Sequence, residues 1–443
     1  MSAHRWPDAG PAVVSYGGSG STGVARLREH LREPLNTNVY ALMVNTVVSS
    51  ALGMGYWALA ARLYPAREVG TGAALISTMM FLSNLSQLNL NGTLARFLPG
   101  AGARGRRVVA YAYGASCTVA LVLSGCFLLL GPAVAEGLGF LTRTPALALA
   151  FALCVAAWGV FTLQDSVLTA ARGALWVPVE NTAVGILKLV LLVLLAGALP
   201  GVGIFASWNL AVVAALVPIN VLVFRRLLPR LGARRGTVGL PARRMLARFV
   251  AMDYLGFLFM QAGTNALPII VTARLGAEAN AVFYIGWLLG TSLELIAYHF
   301  GTSLTVEAAA DESRLAAYTR TVLRRGFVLF APAVVALCAL APLLLALFGT
   351  RYAADGPAVV RLFALAVLPK LVVVVFVAVC RVRRSVGRVI AVHAAASALV
   401  VSLSVLAMGG LGVTGVGVAY LTGQLIVAAA ILPSLRRLVR RAS

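Results

Sequence analysis

The chain has 443 residues, of which 60% are hydrophobic and only 12% are charged, and its mean hydropathy is +0.91. This composition excludes a soluble globular protein, because the surface of a soluble domain of this length needs far more charge. The net charge of +23 would suggest nucleic acid as a partner in a soluble protein, but the cations are placed as membrane topology requires, so we expect no nucleic acid.

Residues 1–35 contain no apolar run, so we expect a flexible cytoplasmic tail and no cleavable signal peptide. After the tail, apolar runs of about 20 residues, the length that crosses a bilayer as a helix, recur along the chain. The sequence predicts an all-α integral membrane protein with about twelve spans, at 38–62, 70–95, 108–131, 146–170, 178–199, 202–224, 248–273, 280–305, 327–348, 358–380, 388–408 and 411–433.

Polar side chains lie at helical spacing on spans one, two, seven and eight, and polar groups inside hydrocarbon are candidate functional residues. A single amide or hydroxyl is best explained by a bond to a neighbouring helix. Four such faces together favour a water-filled central cavity instead. The predicted cavity-lining residues are Asn38, Asn45, Ser49, Asn84, Gln87, Asn91, Gln261, Asn265, Thr291, Glu294, Tyr298 and Thr302.

Several ionisable residues also fall within or at the ends of spans. Glu294 is the strongest candidate for ion coupling, because it lies mid-span on a polar face, where it could bind a proton or sodium ion or pair with a cation. Asp165 and Asp253 are further candidates, although an interfacial ion pair is an equal alternative for Asp253. The candidates for binding phosphate or pairing with a charge are Arg62, Arg96, Lys188, Arg274 and Lys370.

The simpler alternatives for these cations stay open. Arg62 and Arg274 could snorkel to the interface, and Arg96 could be a topology charge. A buried lysine such as Lys188 or Lys370 must find an acid, a carbonyl or an anionic ligand, or lose its proton.

The chain contains an internal duplication. Ala-Arg-Leu at 61–63 recurs at 273–275, and Gly-Val-Gly at 201–203 recurs at 415–417, with an offset of a little over 210 residues. Duplicated apolar chains are typical of secondary transporters, whose substrate path lies between the repeats. We predict a tail at 1–35, a first six-helix bundle at 36–235 and a second at 236–443.

Nearly all the cations are arginine, and they fall on alternate loops. The largest cluster lies between residues 225 and 244, whereas the opposite loops carry only Arg67, Arg143 and Arg351. The positive-inside rule then places both termini in the cytoplasm, gives the two repeats the same orientation, and makes anionic lipids expected partners. The bias towards Arg, Ala, Val, Leu and Gly suggests a bacterial plasma membrane.

The loops argue against an enzyme. The longest external loops hold one carboxylate each, Glu136 and Asp355, which is too little for a membrane-embedded sugar transferase, the least favoured function. The cytoplasmic loops contain no GxxxxGK[ST] phosphate loop. We therefore expect no cofactor or metal, and transport driven by a proton or sodium gradient, the membrane potential or the substrate gradient.

Three stretches carry a resemblance to a known family. They are YWALAARLYPAREVGTGAALISTMMFLSNLSQLNLNGTLARFLP before residue 100, ARGALWVPVENTAVGILKLVLL, and GVGIFASWNLAVVAALVPINVLVFRRLLP. They resemble the polysaccharide transporter branch (O-antigen and exopolysaccharide flippases) of the multidrug/oligosaccharidyl-lipid/polysaccharide (MOP) exporter superfamily. The resemblance covers about the whole chain after the tail. Its motifs are apolar, so they indicate the superfamily better than they indicate the substrate.

The resemblance implies two six-helix bundles around a cavity lined mainly by helices one, two, seven and eight. It also implies alternating access that moves a polyprenyl-diphosphate-linked oligosaccharide from the inner to the outer leaflet, with polysaccharide assembly proteins as partners. An ion-coupled multidrug or metabolite exporter of the same superfamily is the alternative. Lipid II flippases usually have fourteen helices, which disfavours that branch.

Overall fold

A computed structural model describes residues 34–134, 136–232 and 243–440. Within these ranges the side chains of residues 34–44, 47, 96, 131–134, 136, 137, 232, 243–253, 255–257, 306, 309, 310, 439 and 440 lie outside the description. The predicted tail, apart from the backbone of Pro34 and Leu35, and the side chains of Asn38, Arg96 and Asp253 therefore lie outside the described residues.

The described residues are nearly all helical and contain no strand. The helices are α1 Pro34–Leu63, α2 Ala66–Ser86, α3 Leu90–Phe97, α4 Gly105–Val134, α5 Pro145–Ala170, α6 Trp176–Leu194, α7 Gly203–Leu222, α8 Leu228–Gly232, α9 Arg243–Leu275, α10 Ala277–Gly290, α11 Glu294–Ala310, α12 Leu315–Ala346, α13 Thr350–Asp355, α14 Pro357–Val382 and α15 Val386–Arg440. Short 3-10 turns join several of them, and a π-helical turn, Val223–Leu227, joins α7 to α8.

These helices follow the predicted spans in order. In the described residues, eight helical segments are long and apolar enough to cross a membrane, and the bent pair α10 and α11 adds a ninth. Helices α1 and α9, of 30 and 33 residues, are also long enough to cross.

Helix α15 is a hairpin that supplies the last two predicted spans. Its 55 residues turn at Gly412, whose φ of 55° and ψ of −138° are not helical. Across the turn Gly415 packs on the backbone of Ala407, and Gly423 packs on Val400, so the two arms run antiparallel. Each half of the chain can thus place six spans, although the division at residue 235 remains a prediction.

Spans two and eight differ from the prediction because both are broken. Span two stops at Ser86 and resumes at Leu90, since Leu88 and Asn89 have positive φ values of 49° and 55°. Span eight bends by 41° between α10 and α11. Near that bend the Thr291 hydroxyl donates to the Trp287 carbonyl at 2.8 Å, a local bond that bends helices.

Two helices lie at the centre of the molecule. Helices α2 and α14 are buried along most of their length, whereas α4 and α12 are largely exposed and would face lipid. Helix α2 packs against α9 and α10 of the other half, and α14 packs against α11, α12 and α15. The contact between α2 and α10 therefore joins the two halves, and α14 organises the second one.

Candidate functional site

The second half contains a cavity of about 300 Å³ between α9, α11, α14 and α15. Three basic side chains line it, namely Lys370 and Arg381 from α14 and His393 from α15. Tyr298 and Thr302 of α11 add hydroxyl groups, and the valines of α14 form an apolar wall. None of the described residues that line the cavity is acidic. The cavity thus combines positive charge with apolar surface, as a ligand with an anionic head and an apolar tail requires.

Lys370 lies at the inner end of this cavity. It follows Pro369 in the middle of α14, and its Nζ lies 5.9 Å from the centre of the Tyr298 ring and 5.8 Å from that of Tyr420. A small recess of about 20 Å³ continues from Lys370 and His393 towards Tyr420 and Gln424. The aromatic rings stabilise the ammonium electrostatically, and part of it stays open to the cavity.

A carboxylate lies deeper in the protein than Lys370 and is connected to it through a tyrosine. The Tyr420 hydroxyl donates to Glu294 Oε1 at 2.6 Å, and the ring that carries this hydroxyl has its centre 5.8 Å from the Lys370 Nζ. Glu294 and Tyr420 are both buried, with 8% and 5% of their surfaces exposed. Lys370, Tyr420 and Glu294 thus form a chain from the cavity into the protein, which we call the lysine relay.

The first half contains a smaller cavity of about 170 Å³ between α1, α5, α6 and α7. Lys188 lines it, with its Nζ 3.9 Å above the Trp208 ring and 5.3 Å from that of Tyr56. No carboxylate of the described residues lies within ion-pair distance of this ammonium. Ser49 lines the same cavity and donates to Asn45 at 3.3 Å.

The polar residues of span two bond to α5. Gln87 donates to the Thr162 hydroxyl at 2.8 Å, and Asn91 accepts from the Ser166 hydroxyl at 3.0 Å. Asn84 accepts from Gln87 at 3.2 Å, so all three belong to one network beside the break in span two. These bonds join neighbouring helices, which is the simpler role for such amides, and a cavity-lining role for the three residues stays a prediction.

The other predicted residues are dispersed. Gln261 and Asn265 are half-buried on α9 and are not among the residues that line either of the two cavities. Thr291 bonds to its own helix. Arg62 donates from Nε to the Leu347 carbonyl at 2.8 Å, and Arg274 is exposed, so both lie at helix ends far from Lys370.

A buried acidic network in the first half includes a residue that sequence reasoning missed. Gln164 of α5 donates to Glu180 of α6, while Asn181 donates to Asp165 at 3.4 Å, so adjacent amide and acid residues exchange bonds. Glu180 is 2% exposed, and its Oε2 atom and Oδ1 of Asp165 have no partner in the described structure. An ionisable residue inside a predicted span was the signal that could have identified Glu180.

Two residues of the second-half site were also missed. Arg381 was assigned to topology because it ends a span, yet it lines the cavity. Tyr420 carried no signal, because only the packing of α15 against α14 brings it to Lys370.

No family model and no curated protein matches the chain. Among solved structures, it is similar to an inward-facing multidrug resistance MATE family transporter of the MOP superfamily, with a TM-score of 0.67 and 14% identity over 91% of this chain and 98% of that chain. An outward-facing MATE family transporter gives a TM-score of 0.60 and 16% identity over 96% and 99% of the two chains. The lipid II flippase MurJ, in an inward closed conformation, gives 0.67 and 9% identity over 90% of each chain.

These similarities confirm the predicted fold class, a helical membrane protein with the architecture of MOP superfamily transporters. The similar structures are multidrug transporters and a flippase, so the fold alone does not separate these two functions.

Proposed function

We propose that the protein is a flippase that moves a polyprenyl-diphosphate-linked oligosaccharide, a precursor of a cell-surface polysaccharide, from the inner to the outer leaflet. The observation that carries the proposal is the second-half cavity, with the cations Lys370 and Arg381 and the imidazole of His393 on its wall and no acid among the described residues that line it. A diphosphate needs fixed cations, and a prenyl chain needs apolar surface, which Val373, Val374 and Val377 offer.

Contacts between the two halves support an alternating-access mechanism. Asn280 of α10 donates to the Gly70 carbonyl of α2 at 2.8 Å, and the ring centre of Trp57 on α1 lies 4.5 Å from that of Tyr284 on α10. These contacts lie at the end that the arginine distribution predicts to be external. The halves thus contact each other at that end, and the TM-score is higher against the inward-facing transporter than against the outward-facing one, while at the opposite end of α2 the Tyr254 hydroxyl of α9 donates to the Leu85 carbonyl.

An ion-coupled multidrug or metabolite exporter is the second candidate. Its supporting observation is the first-half network, where the half-buried Asp165 and the buried Glu180 have no described cation partner and could attract a proton, sodium or a cationic drug. Sugar transfer within the membrane remains the least favoured function.

For the setting, we propose a bacterial plasma membrane with both termini cytoplasmic. Anionic lipids would contact the arginine-rich ends of the spans, and polysaccharide assembly proteins would supply or receive the substrate.

The deciding experiment is transport in proteoliposomes, comparing a fluorescent polyprenyl-diphosphate oligosaccharide with a cationic dye. We expect the lipid-linked sugar to move and the dye to stay. Lys370→Gln should lower the initial rate by at least about tenfold, because a charge-assisted bond to phosphate contributes roughly 1.5–3 kcal/mol.

The matched control is Arg361→Gln, which removes an exposed cation from the same helix and should transport normally. Movement of the dye alone would reject the flippase proposal in favour of the exporter.

A further inference from the structure

The lysine relay gives Lys370 two competing partners. The Tyr420 hydroxyl uses its hydrogen to donate to Glu294, so its oxygen lone pairs are free to accept from the ammonium. An ammonium has three donors, and those not used by Tyr420 can face the cavity. Lys370 can therefore bond inwards to the relay, outwards to a ligand, or to both.

The charge of Glu294 influences which partner Lys370 bonds, even though Glu294 and Lys370 form no direct ion pair. The described residues contain a single ion pair within 4.0 Å, between Arg351 and Glu278 at 2.7 Å, so Glu294 reaches Lys370 only through Tyr420. In a buried site the attraction between opposite charges is screened weakly. A hydroxyl that donates to a carboxylate is also polarised and becomes a better acceptor.

The other charged and titratable groups around the cavity cannot take this role. Arg381 and His393 are basic, and Tyr298 faces Lys370 with its ring. Lys188 provides the contrast, because it rests on Trp208 and Tyr56 with no described carboxylate behind it.

We propose that Glu294 competes with the ligand for Lys370 and acts through Tyr420. It thereby weakens the binding of an anionic head group in the cavity and promotes its release. The proposal rests on the proposed function, since it takes a diphosphate as the ligand. When the diphosphate binds, Lys370 turns from Tyr420 to a phosphate oxygen, and when the diphosphate leaves, the relay draws the ammonium back. Glu294 is thus a positioning residue rather than a ligand contact, and a site built only for tight binding would not contain it.

The test measures binding and transport on the same variants. Binding of farnesyl diphosphate to the purified full-length protein is measured by calorimetry, and transport of the fluorescent polyprenyl-diphosphate oligosaccharide is measured in proteoliposomes. We expect Glu294→Gln to lower the dissociation constant by about three- to tenfold, the effect of one charge on a hydrogen-bonded group. The transport rate should fall at the same time, because release becomes slower.

Tyr420→Phe separates the bridge from the charge. It keeps both Lys370 and Glu294 but removes the hydroxyl between them. The dissociation constant for farnesyl diphosphate should therefore fall, as we expect for Glu294→Gln. The matched control is Glu307→Gln, an exposed acid on the same helix as Glu294, which should change neither quantity.

The outcomes separate the two proposals. If Lys370→Gln abolishes binding but Glu294→Gln binds equally or more weakly than the unmodified protein, the competitor role is wrong and the flippase site stands. If the unmodified protein does not bind farnesyl diphosphate, or binds it equally well without Lys370, the proposed site fails and the competitor role fails with it.

Discussion

The surroundings of the buried ionisable residues differ between the two halves. Lys370 has a tyrosine and a carboxylate behind it, whereas Glu180 accepts a hydrogen bond from the Gln164 amide and has no cation partner among the described residues. A buried carboxylate without a cation is unfavourable, and an oxygen atom without a donor adds to that cost. The first-half network therefore lowers the stability of the folded protein.

Glu180→Gln tests that cost. The amide keeps an oxygen for the bond from Gln164 and replaces the unpartnered Oε2 with a donor, so the protein should become more stable. We expect the thermal midpoint of the detergent-solubilised protein to rise by about 2–4 °C, which corresponds to roughly 1 kcal/mol. Glu312→Gln, at an exposed acid, should leave it unchanged. A lower midpoint would mean that the Glu180 carboxylate holds a stabilising partner.

The sequence predicted functional roles for Glu294, Tyr298 and Lys370 because each is polar or charged inside an apolar run. Spacing along one helix shows which residues share a face, but it does not show which helix lies opposite. That is why Gln87 and Asn91 were expected to line a cavity although they bond to α5. It is also why Tyr420, an ordinary tyrosine on α15, could not be connected to Lys370 before the packing was known.

At the scale of elements, the contact between α2 and α10 forms the closed end of the molecule. Gly70 lets the two backbones touch, because a Cβ atom at this position would overlap the Ala277 carbonyl. Asn280, fully buried, fixes the contact with its bond to the Gly70 carbonyl. The contact is made by main chain, so it cannot be relieved by a side-chain rotation.

Gly70→Ala should therefore open this end. In a variant without the five native cysteines, a cysteine replacing Ala73, which is fully buried, should react at least about tenfold faster with a membrane-impermeant maleimide when Gly70→Ala is also present. The control is Gly114→Ala, where a Cβ meets open space on the largely exposed helix α4. Equal labelling in all three backgrounds would show that the contact between α2 and α10 does not control access.

For the molecule as a whole, composition and periodicity were enough to predict the helical membrane fold. Twelve apolar runs and an internal repeat leave few other arrangements, and the similar transporter structures confirm the class. The breaks in spans two and eight were not predicted. In span two, Leu88 has a positive φ value without being a turn residue, and the single Asn89 after it does not by itself predict a break.

The orientation in the membrane remains a prediction from the arginine distribution. In a variant without the five native cysteines, Asp355→Cys and Glu312→Cys each place one exposed cysteine in loops predicted to lie on opposite sides. On intact cells, an impermeant maleimide should label the cysteine at position 355 and spare that at position 312 until the cells are lysed. The reverse pattern would invert the topology and, with it, the direction of transport.

The close approach at Gly70 also bears on how such a chain could have arisen. Gly70 is the fifth residue of α2, and Ala281 is the fifth residue of the corresponding helix α10. If the ancestor was a pair of identical halves, both would have carried the same residue at this position, and alanine in both would have kept them apart. An ancestor with two identical halves could therefore have closed in this way only with glycine in both copies, and Ala281 would then be the copy that changed.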